Sequence, residues 1–154
     1  MMEQTSINWK EEISSVTPEP MRSFLVVDGL PFPRSYECIV RAFREAAEEI
    51  NPVVSIGHRF GVIFSKAPFV LNLANSKFTY EPKRREIINF HVENTILLDC
   101  EKMMRYPFPI QVACILEELV HVLMNVSDES FVTEVVGLLY QGVSIVEGKY
   151  SPRS

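Results

Sequence analysis

The sequence predicts an α+β fold: an N-terminal helix, an antiparallel β-meander, a connecting helix and two closing helices. Three observations carry this. Apolar residues recur at helical spacing over residues 35–50, and again over 110–125 and 131–141. Between the first and second of these helices, short β-rich runs at 53–56, 60–64 and 69–73 have Gly57, Gly61 and Pro68 between or beside them, the pattern of strands joined by turns. At 154 residues and 47% hydrophobic content, the chain can bury one substantial core but not two, so a single domain is expected over residues 34–148.

Residues 1–33 are polar and then proline-bearing. Pro18, Pro20, Pro31 and Pro33 interrupt any continuous element, so a poorly structured or extended segment is expected, with Phe24-Leu25-Val26-Val27 as an edge strand or a stretch lying across the core. Ile39, Phe43, Ala46, Ala47 and Ile50 mark one face of the first helix, with Ser35 as its cap and Asn51-Pro52 as its end. Residues 86–90 read as a further strand, after a turn holding Pro82 and the solvated cluster Lys83-Arg84-Arg85. Ile96, Leu97, Cys100, Met103 and Met104 predict a connecting helix from about residue 94, stopped by Pro107 and Pro109. The next helix spans 110–125. Ser127-Asp128-Glu129-Ser130 supplies capping groups and early acidic charge to the last one, with Gly142 at its C-terminal cap. Residues 149–154 are expected to form a loose tail.

Bulk properties exclude several classes. A net charge of −5 with scattered Lys and Arg gives no basic footprint for nucleic acid. Cys38, Cys100 and Cys114 are odd in number and widely spaced, which indicates neither a disulfide framework nor a Cys-rich zinc site and fits a reducing cytoplasm. The first residues lack a basic-then-apolar signal layout, and no apolar run approaches the roughly 20 residues that span a bilayer.

The chemistry concentrates in Ile115-Leu116-Glu117-Glu118-Leu119-Val120-His121. Two ligands four apart on a helix project from one face, and a carboxylate beside the first can activate water on a bound metal. With Glu117 at zero on a helical wheel, His121 falls at about 40°, Glu118 at about 100° and Gln111 at about 120°. Val112, Ile115, Leu116, Leu119, Val122 and Leu123 form the opposing core stripe, while Ile110, Cys114 and Met124 border the polar arc and make it semi-buried. An amphipathic helix also needs a polar face, and the three residues can serve as no more than that. Charge in such surroundings is costly unless paired or metal-bound.

A third ligand follows from hairpin geometry. If the chain reverses near Ser127, His121 lies six residues before the reversal and Glu134 seven after it, so antiparallel helices would bring them level. Gly137, one turn beyond, would let the helices approach closely. Asp128 and Glu129 read instead as helix-start charges. His58 and His91 read as surface or hydrogen-bonded structural residues ahead of a role lining a cleft, Tyr140 as buried aromatic packing ahead of polarising an oxyanion, and Cys114 as core.

On these residues the sequence resembles the zincin metallopeptidases, and within them the small members in which a His-Glu-x-x-His helix is followed by a helix supplying a glutamate ligand. The resemblance covers about residues 53–142. It implies a zincin-like fold whose strand edge aligns an extended peptide beside the metal, with Glu117, His121 and Glu134 as metal ligands and Glu118 as general base. The chain departs from the motif at its first position, where Glu117 stands in place of histidine. A further anionic oxygen weakens a zinc ion's electrophilicity and favours harder ions such as manganese or iron. Two functions follow as expectations: a metal-dependent peptide-bond hydrolase with an altered site, or a zincin-shaped protein without metal that binds a polypeptide.

Overall fold

The structure, a computed structural model, describes residues 5–73, 76–80 and 89–153. Its centre is a four-stranded mixed sheet formed by β1 (Leu25–Gly29), β2 (Phe60–Ser65), β5 (Asn89–Val92) and β6 (Thr95–Asp99), in the spatial order β1-β2-β6-β5. β1, β2 and β6 run parallel, and β5 is antiparallel to β6 at the edge. β3 (Phe69–Leu73) and β4 (Ser76–Tyr80) form a separate antiparallel hairpin. The architecture mixes helices with strands, as expected, but its main sheet is mixed and the antiparallel meander of the expected α+β fold is not what forms. Turn residues and short β-rich runs locate strands without fixing their partners. The helix over residues 38–50 lies between β1 and β2, and a strand–helix–strand unit with adjacent strands requires a parallel crossover.

Residues 9–29, expected to be poorly structured or extended, contain α1 (Trp9–Val16), the single turn α2 (Glu19–Arg22) and β1. Asn8 caps α1 by accepting from Glu11 N. The prolines act as boundaries here: Pro18 precedes α2 and Pro20 sits in its first turn, where a missing N–H costs nothing. Trp9 stacks on Phe64 with ring centres 4.2 Å apart and nearly parallel planes, and its indole N–H donates to Leu30 O at 2.8 Å. A side chain at Gly29 would collide with that indole, so the strand end carries the one residue that leaves it room.

α3 (Cys38–Ile50) forms where the periodicity places it, though its N-cap is Glu37, preceded by a 3-10 turn at Arg34–Tyr36, and Ser35 makes no cap. Ala42, Ala46 and Ala47 are fully buried and let α5 (Phe108–Leu123) pack closely along it. Pro107 and Pro109 open α5 and do not close a preceding helix. Two further expectations fail nearby. Residues 53–56 leave a 3-10 turn, Asn51–Val53, without joining any strand. Residues 95–99 form β6, followed only by one turn, α4 (Cys100–Met103). Ile96, Leu97 and Leu98 are consecutive and all buried, which suits an inner strand covered on both faces and not a helix with one apolar stripe. Asp99 ends the strand by accepting from Lys102 N, and its other oxygen accepts from Ala67 N. The proposed strand at 86–90 survives from residue 89; residues 86–88 lie outside those described.

After α5, Asn125 adopts a left-handed backbone (φ 52°) and reverses the chain into α6 (Glu129–Leu139), capped by Asp128, which accepts from Phe131 N. The expected loose tail instead pairs: β7 (Val143–Val146) and β8 (Lys149–Pro152) form a hairpin whose two turn residues, Glu147 and Gly148, both take positive φ. Among the described residues no helix is long and apolar enough to cross a membrane.

The stacked Trp9–Phe64 pair ties the N-terminal helix to the sheet. Phe64→Ala is expected to destabilise the fold by about 3–5 kcal/mol in urea unfolding, the range for a buried aromatic deletion.

Candidate metal centre

α5 presents Glu117, Glu118 and His121 on the side away from α3, and each meets a different segment. Glu118 is 4% exposed and faces β5. Asn89 and His91 alternate along that strand and therefore point the same way. Asn89 Nδ2 donates to Glu118 Oε1 at 2.7 Å and to Cys114 O at 3.3 Å. His91 Nδ1 lies 2.7 Å from Glu118 Oε2; a carboxylate accepts, so Nδ1 is the protonated ring nitrogen. Phe90, on the opposite side of the strand, packs edge-on against Phe69.

His121 is 5% exposed and is wrapped by the α5–α6 turn. Its Nδ1 lies 2.6 Å from Val126 O, and Val126 N donates back to the His121 carbonyl at 3.2 Å. A carbonyl oxygen only accepts, so Nδ1 carries a proton. Nε2 is the nitrogen left to face Glu129 Oε2 at 3.3 Å. The His91 and His121 rings lie 4.9 Å apart, tilted by 32°.

Glu117 turns toward the C-terminal hairpin. Tyr150 OH donates to its Oε2 at 2.5 Å. Burial raises the Glu117 carboxyl above the usual range; the Tyr150 hydrogen bond opposes this, and the charges of Glu118 and Glu129 add to it. Burial and the Glu117 charge together push the Tyr150 phenol well above its ordinary value. Ligand atoms of Glu117, His121 and Glu129 all lie within 4.8 Å of one another, forming the one group of metal-binding character among the described residues.

No family model, curated protein or solved structure matches this chain.

Of the residues singled out by the motif, the structure brings together Glu117 and His121, with Glu118 adjacent on β5's side, and leaves Glu134 out. With Val132 at zero, Val136 falls at about 40°, Glu129 at about 60° and Glu134 at about 200° around α6. Val132 and Val136 are fully buried, so Glu134 is turned to solvent, where it borders a groove with Leu138, Ile145 and Arg153. The reversal is also tighter than one centred on Ser127. His121 lies in the last turn of α5 and meets the first turn of α6, so the third carboxylate is Glu129. Gly137 is close to the Ile145 side chain of β7 and does not mediate an approach to α5. His58 is exposed. Tyr140 is buried toward Glu45, and burial followed by the Glu45 charge pushes it up to about 12. Cys114 borders the arc, its thiol raised by burial and then by the charges of Glu117 and Glu118.

Sequence reasoning undervalued His91 and Glu129 and missed Asn89 and Tyr150. The Asn89-x-His91 alternation is the signal that could have paired the strand with Glu118. Tyr150 has no local signal, because its role depends on a hairpin that returns to α5.

The donor set is suited to a divalent cation. Two carboxylate oxygens and one imidazole nitrogen offer hard and borderline ligands. An Nε2 lone pair set against a carboxylate oxygen is an unfavourable pair of acceptors until a cation or proton lies between them. Ligands about 2.1 Å from one ion stand roughly 3.5 Å apart, so closure from 4.8 Å requires a movement of about 1 Å. The Glu129 side chain, 74% exposed, is free to make it.

Two pH effects of the same sign follow, in different windows. His91 is held above its ordinary value mainly by its hydrogen bond to Glu118, against the lowering effect of burial. Its contribution to stability is fully present below the unfolded value near 6.5 and is lost as pH rises through the folded value. Glu117 ionises later in the folded chain than in the unfolded one, so it costs stability as pH rises from about 4.5. Urea midpoints measured against pH in chelator are expected to lose the first dependence in His91→Gln and the second in Glu117→Gln.

Proposed function

We propose that this chain is a metal-dependent hydrolase of peptide bonds with a zincin-like arrangement, in which Glu117, His121 and Glu129 hold the metal. The observation that carries this reading is His121: its Nδ1 is tied to Val126 O, and its remaining nitrogen faces Glu129 within a three-ligand cluster. A backbone acceptor on the far ring nitrogen is the usual means of fixing a metal-binding imidazole. When bound, a divalent cation such as zinc, manganese or iron supplies Lewis acidity and lowers the pKa of water.

Glu118 lies next to Glu117 in sequence, Asn89 and His91 fix its orientation, and it is the carboxylate that would accept a proton from water. Low exposure around Glu118 and His121 limits competing solvent and strengthens the field between the charged groups. Among the described residues, no strand pairs with the outer edge of β5. The zincin resemblance implies that a strand edge of this kind aligns an extended peptide beside the site.

One observation favours a second reading, a metal-free zincin-like module that binds a polypeptide. Both Glu118 oxygens and one Glu117 oxygen already receive hydrogen bonds from protein groups, so much of the buried charge is satisfied without an ion.

Metal binding separates the two. Elemental analysis of protein purified without chelator, followed by titration with zinc, manganese and ferrous iron, is expected to give one ion per chain. His121→Ala is expected to weaken that affinity by about 100-fold or more. Glu118→Gln is expected to keep the ion and to lose roughly 10²–10⁴-fold in turnover of a fluorogenic peptide library. Failure of the wild type to bind any of the three ions at micromolar concentration rejects the hydrolase and leaves the binding module.

A further inference from the structure

We infer that Tyr150 makes Glu117 a one-oxygen ligand, so that a glutamate can fill a coordination position otherwise given to an imidazole. The inference rests on the metal-site reading above and concerns how the C-terminal hairpin tunes that site.

A carboxylate differs from an imidazole in two ways that matter to a cation: it carries negative charge, and it can bind through both oxygens. Two-oxygen binding raises the coordination number toward that of larger, harder ions, whereas a single donor per residue suits a tetrahedral site with one open position. A hydrogen bond to the oxygen that does not bind metal suppresses the second mode and withdraws charge from the first. Tyr150 is placed to do this, with its hydroxyl 2.5 Å from Glu117 Oε2.

The placement is built into the fold. Tyr150 pairs with Ile145 in the β7–β8 ladder, and β8 packs on α5. Val143 is fully buried and anchors the hairpin. Arg153 N donates to Gly142 O at 3.0 Å, and the Arg153 guanidinium donates to Gln141 Oε1 at 3.2 Å, so the base of the hairpin is closed. The phenol therefore reaches Glu117 from a paired strand. The other two carboxylates differ: Glu118 has both oxygens held by β5, and Glu129 is largely exposed. Glu117 is the cluster carboxylate with one oxygen, Oε2, held by a protein hydroxyl; Oε1 is the oxygen assigned to the metal.

The test uses the full chain with zinc, manganese and cobalt(II), and compares wild type with Tyr150→Phe, which keeps the ring and removes only the hydroxyl. Zinc affinity is expected to fall by about 10–100-fold in the variant, with manganese affinity unchanged or higher. The visible absorption of the cobalt(II) form is expected to weaken as coordination number rises above four. A double-mutant cycle isolates the cause. In a Glu117→His background there is no carboxylate to cap, and Tyr150→Phe should change the zinc-to-manganese affinity ratio by less than about twofold.

An equal loss of both metals in Tyr150→Phe, or an unchanged ratio and cobalt spectrum, overturns the inference while leaving the metal site standing. So does a shift of the same size in the Glu117→His background, which would mean that the hydroxyl supports the hairpin in general. Absence of metal binding in the wild type overturns the site reading itself, before any variant is compared.

Discussion

Two adjacent glutamates on a helix that is otherwise core impose the constraint around which this molecule is arranged. Glu117 and Glu118 are about 100° apart on α5, so one neighbour cannot serve both. Charge in that environment needs donors or a cation, since desolvation without either would offset much of the stability of a domain this size. Three segments answer the requirement. β5 brings Asn89 and His91 to Glu118, the turn after α5 brings Val126 and Glu129 to His121, and the C-terminal hairpin brings Tyr150 to Glu117. The antiparallel course of β5 against an otherwise parallel sheet places it at the edge, where it contacts α5.

The helices were legible and the pairings were not. α3, α5 and α6 each carry an apolar stripe at three- and four-residue intervals, a local signal that survives in the fold. Strand direction is set by what lies between strands; of the two options for Phe24-Leu25-Val26-Val27, an edge strand or a stretch across the core, the fold takes the first as β1, while the prolines around it hid α1. Residues 95–99 show the limit of periodicity: Ile96, Leu97 and Cys100 fit a helical face, yet the buried run Ile96-Leu97-Leu98 belongs to an inner strand. At the site, Glu117, Glu118 and His121 could be read because their spacing is local. Glu129 could not be told from Glu134 without knowing which face of α6 Val132 and Val136 would bury. Tyr150 stands 33 residues from its partner.

The same hydrogen bonds serve both functional readings, which differ in what completes the cluster. Glu118 is satisfied by protein groups on both oxygens. His121 and Glu129 are not equivalent to it, because each presents an acceptor to the other across 3.3 Å once Nδ1 holds the ring proton. A proton or a metal ion must settle that contact. The carboxylate at the first motif position does not by itself decide between them, since Tyr150 already takes up one of its oxygens.

The site draws on β5, α5, α6 and β8, so its members are spread from Asn89 to Tyr150. On a ribosome, β1, β2 and α3 would emerge long before the segments that complete the cluster, and α5 would leave the exit tunnel with its acidic pair unshielded. Glu117 therefore gains its hydroxyl partner only after the β7–β8 segment has emerged and paired, later than the three members of the cluster themselves.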